Sequence, residues 1–261
     1  MFTRKETQPS PPKPSIPELV EEADNNRSIL QVFIIRHGRT NENERHIIQG
    51  HLDTVLNEAG IKQATSCGDR VLKSIAFDAI WCSDLKRCLQ TRDAAFRHHI
   101  IRSEYNHVTP LLRERAFGDL EGFQASIAFN ILKQRKLTFE SAGEDQHDFR
   151  RKLMKSWDSM VEEARHAGFE RTAIVSHGGS ISSLVHALIN QRGFTFSDSI
   201  PTKHISGLLN TSITIVNITL GSSKNVIAGE IVEFNNAEHL TANVPAKDAD
   251  ESVEEEIVDN F

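Results

Sequence analysis

Two short β-branched runs in this chain break into His-Gly. One is Val32-Phe33-Ile34-Ile35-Arg36-His37-Gly38; the other is Ala173-Ile174-Val175-Ser176-His177-Gly178-Gly179. An imidazole nitrogen is both a nucleophile and an acid–base group near neutral pH. A pair of imidazoles with a guanidinium, Arg36, beside the first suits a phosphoryl group. One nitrogen would attack phosphorus, while the second ring and the arginine's fork of N–H donors would hold the charge on the oxygens. His37 and His177 are 140 residues apart, so only the fold can unite them.

The elements needed for this are legible. A β-branched apolar run with glycine straight after it reads as a buried parallel strand with a tight exit turn. In open α/β sheets ligands sit at the carboxyl ends of the strands, so two such strands would place both imidazoles at one mouth. The pattern predicts strands over Gln31–Arg36, Asp78–Cys82, Val108–Leu112 and Arg171–Ser176. It predicts helices over Asn57–Lys73, Asp84–His98, Glu144–His166 and Ser180–Gln191. Asn57 with Gly60 and Gln63 behind it opens the first helix, and Ser83 is the expected cap of the second. Phe149, Leu153, Trp157, Met160 and Val161 lie at helical spacing and read as a core face. Asn210–Thr219 and Asn225–Phe234 read as two late antiparallel strands. Alternating strands and helices predict an α/β fold with a mostly parallel central sheet and helices on both faces.

Composition narrows the setting. Five of the eight prolines fall within residues 1–29, which read as a flexible arm. From Thr241 onward one lysine stands against seven acids, a net charge of −6 that equals that of the whole chain. Residues 241–261 therefore read as an acidic disordered tail and residues 30–240 as the folded domain, and residues 1–240 together are formally neutral. A neutral body predicts no nucleic-acid partner. No run approaches a membrane span and the first residues have no apolar signal core, so no membrane association and no secretion are expected. Cys67, Cys82 and Cys88 are odd in number and lack metal spacing. They read as small buried hydrophobes in a reducing compartment, the cytoplasm or the nucleus. No His/Asp/Glu cluster has metal-ligand spacing, so neither metal nor cofactor is expected.

The motifs also carry a resemblance. Arg36-His37-Gly38-Arg39-Thr40-Asn41-Glu42-Asn43 resembles the RHGxTxxN signature of the histidine phosphatase, or phosphoglycerate mutase-like, superfamily. Gln49 to Ala64, Ser83-Asp84-Leu85-Lys86-Arg87-Cys88-Leu89-Gln90-Thr91, Leu112-Arg113-Glu114 with Gly118 and Glu121-Gly122, and Ser176-His177-Gly178-Gly179 resemble four further motifs in the same order. Asn210-Thr211-Ser212 and Glu238-His239-Leu240 resemble the closing segment. The resemblance implies a three-layer sandwich. It implies His37 as the nucleophile that becomes a phosphohistidine, His177 as a stabiliser of the transferring group, and Glu114 as acid and then base. Arg36, Arg87, Asn43, Ser83 and Gly178 would bind phosphate, and no metal is implied. Arg39 stands where relatives commonly have Glu or Gln, and could either attract an anionic substrate or face solvent. The other ten histidines, including His98, His99, His166 and His239, read as surface or core residues.

Within that family three functions compete. The first is a phosphatase acting on a small phosphorylated substrate, in which water accepts the phosphoryl group. The second is a phosphoglycerate mutase, in which a bound hydroxyl accepts it. Glu114 and His177 are only 63 residues apart, too close for the long mutase insertion, so the phosphatase fits better; a sugar bisphosphatase stays open as a sub-case. The third is a scaffold that keeps the fold and binds proteins through its arm or tail, as a module in a fungal RNA polymerase III transcription factor complex does. Residues from about 115 to 145 are expected to form a cap, with Phe123, Phe129 and Phe139 as its apolar surface.

Overall fold

The computed structural model describes residues 28–139, 141–200, 205, 207–221 and 226–240. The acidic tail and nearly all of the N-terminal arm lie outside the described residues. Ser28 and Ile29 belong to the first strand rather than to the arm.

Seven strands form one sheet in the order β3-β2-β4-β1-β6-β7-β5. They are β1 (Ser28–Arg36), β2 (Ala79–Ser83), β3 (Asn106–Thr109), β4 (Arg171–Ser176), β5 (Thr195–Phe196), β6 (Ile213–Leu220) and β7 (Val226–Asn236). The β1–β4, β2–β4, β2–β3 and β5–β7 pairs are parallel. β6 is antiparallel to both β1 and β7, as expected for the late strands.

The helices are α1 (Asn41–Glu44), α2 (Glu58–Arg70), α3 (Lys86–Ala95), α4 (Ala125–Arg135), α5 (Gln146–Ala167) and α6 (Gly178–Arg192). Side chains alternate across a strand, and β1 uses both faces. Leu30, Val32 and Ile34 pack into a core with α5 and α6. Phe33 and Ile35 pack into the opposite core with α2 and α3. That two-sided burial is why β1 reads as a continuous apolar run, and it gives the helix–sheet–helix layers. The expected stripe on α5, from Phe149 to Val161, is buried in the first of these cores.

Two expectations are corrected. Ser83 does not cap α3; Leu85 is the N-cap and offers no side-chain hydrogen bond. The carboxylate of Asp53, from a distant loop, accepts from the Lys86 N–H at 2.8 Å instead. The segment Val108–Leu112 is strand only to Thr109, and Pro110 starts a 3-10 turn that ends it. Helix α4 was not foreseen. It packs on a small third cluster formed by Ile48, Leu120, Ala125, Ala128 and Leu132.

Candidate active site

Register brings the two histidines together. Arg36 pairs with Ser176 across parallel strands β1 and β4, so each chain leaves the sheet into its histidine at the same level. The His37 N–H donates to the Ser176 carbonyl at 2.9 Å. The imidazole centroids of His37 and His177 lie 5.2 Å apart, edge to face. The exit turn after His37 needs glycine because a Cβ on Gly38 would lie 2.6 Å from the Gly60 carbonyl oxygen. The Gly38 N–H is held by the Thr91 hydroxyl at 2.8 Å. Asn210 Nδ2 donates to the His37 carbonyl at 2.9 Å, and the Thr211 N–H to the Arg36 carbonyl at 3.1 Å. The backbone of His37 is thus fixed from three sides.

Hydrogen bonds assign the tautomers. His37 Nδ1 lies 2.8 Å from the Gly38 carbonyl oxygen, which can only accept, so Nδ1 carries the proton and Nε2 keeps a lone pair. Burial, then the charges of Arg87 and Arg36, hold the His37 pKa well below its ordinary value, against the opposing Gly38 bond. His177 Nδ1 accepts from Arg87 Nε at 3.1 Å, and its Nε2 donates to the Ser83 hydroxyl at 2.9 Å. Burial, with Arg87, His37 and Arg36 behind it, likewise lowers the His177 pKa well below the ordinary value. Both rings are neutral at pH 7.

An open cleft of about 850 Å³, solvent at its mouth included, lies over His37. Of the residues singled out from sequence, Arg36, His37, Asn43, Arg87, Glu114 and Gly178 line it together. His177 and Ser83 do not. They are fully buried one layer behind, where the Arg87 fork and the serine hydroxyl occupy the second imidazole.

Arg87 is itself anchored. Its Nη1 donates to the Leu52 carbonyl at 2.7 Å and its Nη2 to the Gly50 carbonyl at 2.8 Å. Arg36 donates to the Leu208 carbonyl. The Thr40 N–H and hydroxyl both donate to Asn43 Oδ1 at 3.1 Å, in the capping box of α1. Glu114 accepts from the Gly179 N–H at 3.0 Å, from the Arg115 N–H at 2.9 Å and from the Ser180 hydroxyl at 3.3 Å. The carboxylate therefore sits at the N-terminus of α6, where the helix dipole favours an anion. Its neighbour Arg113 makes the surface ion pair instead, with both oxygens of Asp84.

The remaining singled-out residues resolve similarly. Arg39 does not line the cleft; its Nε lies 3.6 Å from a Glu44 carboxylate oxygen. Cys67, Cys82 and Cys88 are buried free thiols, as read, and burial pushes Cys67 and Cys88 up to about 12. Phe139 lines the cleft, but Phe123 and Phe129 are exposed outside it. Sequence reasoning missed the buried Arg115, because an arginine beside Glu114 reads as its ion-pair partner. Its guanidinium instead donates to the Glu144 and Ala142 carbonyls at 2.8 and 3.0 Å. Among the described residues Asp145, His147 and Asp148 bring potential metal ligands within 4.8 Å of one another. All three are exposed and none lines the cleft.

The family model of the histidine phosphatase superfamily (branch 1) matches residues 32–227. A broad-specificity phosphatase of Saccharomyces cerevisiae is 34% identical over 227 residues, covering 86% of this chain and 93% of its own. A probable phosphatase of Schizosaccharomyces pombe is 36% identical over 225 residues, covering 84% and 99%. A structure titled mycobacterial hydrolase 2 superposes with a TM-score of 0.68 at 22% identity, over 83% of this chain and 94% of that one, which shows a shared fold. The chain belongs to the histidine phosphatase superfamily.

Proposed function

We propose that this phosphatase, a phosphoric monoester hydrolase by family, works through a phosphohistidine formed at Nε2 of His37. The observation that carries the reading is the His37 tautomer. A neutral ring with Nδ1 tied to Gly38 presents an unprotonated Nε2 to a cleft that three arginines line. The phosphoryl oxygens would lie against Arg36 and Arg87, whose planar forks suit them better than an ammonium. The amide of Asn43 and the Gly178 N–H at the start of α6 would add donors. Glu114 would protonate the leaving alkoxide, then take a proton from the water that attacks phosphorus. Phosphorus passes from ester oxygen to Nε2 and from Nε2 to water, which releases alcohol and inorganic phosphate. His177 and Ser83 act through Arg87, holding its Nε in place. Positioned donors supply the charge stabilisation, so no step calls for a metal.

Residues 115–145 would cap the cleft, contributing Phe117, Ala125 and Phe139 to its wall. The short Glu114–His177 spacing favours water over a second substrate as the acceptor. Hydrolysis of p-nitrophenyl phosphate in EDTA tests the reading. The parent chain turns it over and His37→Ala does not. Equal turnover by both, or activity that disappears with the chelator, contradicts it.

A further inference from the structure

Polar residues without a part in this chemistry also line the cleft, among them His46, which follows α1, and Gln146, which opens α5. No side-chain hydrogen bond or ion pair joins either to another described residue. His46 is also held in the left-handed region, at φ 54°. That conformation costs a residue with a Cβ about 1–2 kcal/mol, which glycine would avoid. Its neighbours impose it: its N–H donates to the Asn43 carbonyl at 3.2 Å, and its carbonyl accepts from the Ala125 N–H at 2.8 Å. The left-handed turn that ends α1 thus fixes where the His46 ring is carried on the cleft wall.

The surrounding wall is apolar, built from Ile47, Ile48, Phe117, Phe139 and Phe149. Arg115 shares that wall, but its guanidinium braces the Ala142 and Glu144 carbonyls. A leaving alcohol lying on this wall would bury its carbon skeleton against Ile and Phe and would meet the open side chains of His46 and Gln146.

We infer that His46 and Gln146 read a polar substituent on the alcohol part of the ester, a hydroxyl or a carboxylate, against the apolar wall. This rests on the phosphatase reading above. It names the substrate class as phosphomonoesters of compact alcohols with an apolar skeleton and one hydrogen-bonding group. A site built to bond such a group discriminates against the analogue lacking it, because its own polar groups are then left unpaired.

The test compares kcat/KM of the full chain on phenyl phosphate and on phenyl phosphates bearing a carboxylate or a hydroxymethyl group. The parent prefers at least one substituted ester. His46→Gly, which also relieves the backbone strain, and Gln146→Ala each cut that preference about tenfold, the worth of a lost hydrogen bond. The loss falls on KM of the substituted ester. A parent without preference, variants that keep the preference, or a loss shared equally by all three esters overturns the inference. A parent that hydrolyses none of the esters contradicts the phosphatase reading itself.

Discussion

In the proposed reaction the imidazole of His37 is prepared for attack by what surrounds it rather than by its own chemistry. Burial and two neighbouring guanidinium groups keep it neutral, and Gly38 holds its proton on Nδ1. Glu114 is prepared in a complementary way, because three donors fix its carboxylate. Glu114→Gln keeps the size of the side chain and removes the transferable proton. It is expected to slow hydrolysis of alkyl phosphates about 10²–10⁴-fold. The first step with p-nitrophenyl phosphate should suffer far less, since that leaving group departs without a proton. Stopped-flow release of p-nitrophenolate would then show a burst followed by slow turnover; equal slowing of both steps contradicts the acid role. Arg87→Lys loses the fork that touches Gly50, Leu52 and His177 at once. Steady-state kinetics on any accepted ester should show kcat/KM down about 10²-fold, and retention of more than half would remove Arg87 from the site. At this scale the sequence was most legible where residue type and neighbours coincide, at Arg36, His37, Asn43, Arg87, Glu114 and Gly178. It was least legible for His177 and Ser83, because motif order places them at the site but cannot say which layer they occupy. Arg115 was hidden because a local charge pairing offered a simpler partner.

Among the elements, the strands that end in the site were read nearly to the residue, because burial on both faces leaves an unbroken apolar run. β4 is Arg171–Ser176 as expected. Boundaries governed by distant contacts were not legible. The start of α3 depends on Asp53 from another loop, and β5 has only two residues. Helix α4 escaped because Gln124 offers no side-chain cap and its buried face, Ala125, Ala128 and Leu132, is small. The segment after it returns to the acid-bearing loop through a tight backbone contact. Gly143 has φ 74°, and a Cβ there would lie 2.0 Å from the Ala116 carbonyl oxygen. Gly143→Ala should cost about 3 kcal/mol in stability, by forced displacement of packed backbone. It should also raise KM, because Arg115 and Phe117, on either side of Ala116, line the cleft. Urea unfolding together with KM on one ester checks this; a variant as stable as the parent would mean that the segment is held elsewhere.

Across the whole molecule, one sheet carries two cores and brings strands β2, β4 and β1 to a common edge where the site sits. No helix among the described residues is long and apolar enough to cross a membrane. Three buried histidines link this architecture to pH. His37 and His177 are held well below the ordinary histidine value, and burial takes His239 to about 4. Each is neutral in the folded chain and binds a proton more readily when unfolded, so stability is lost as pH falls below the unfolded value of about 6.5. His239 alone, clamped to the Thr211 hydroxyl at 2.9 Å, accounts for roughly 3 kcal/mol between pH 6.5 and 4. Urea midpoints should fall steadily across that window, and a flat profile from pH 6.5 to 4.5 would contradict the neutral, buried placement of these rings. The central claim is the covalent one, and it is tested most directly by quenching the full chain in alkali during turnover of a phosphomonoester and sequencing the phosphopeptide by mass spectrometry. The account predicts an alkali-stable, acid-labile phosphoryl group on His37, accumulating further in Glu114→Gln. Phosphate on another residue, or turnover with no phosphorylated peptide in either form, would contradict it.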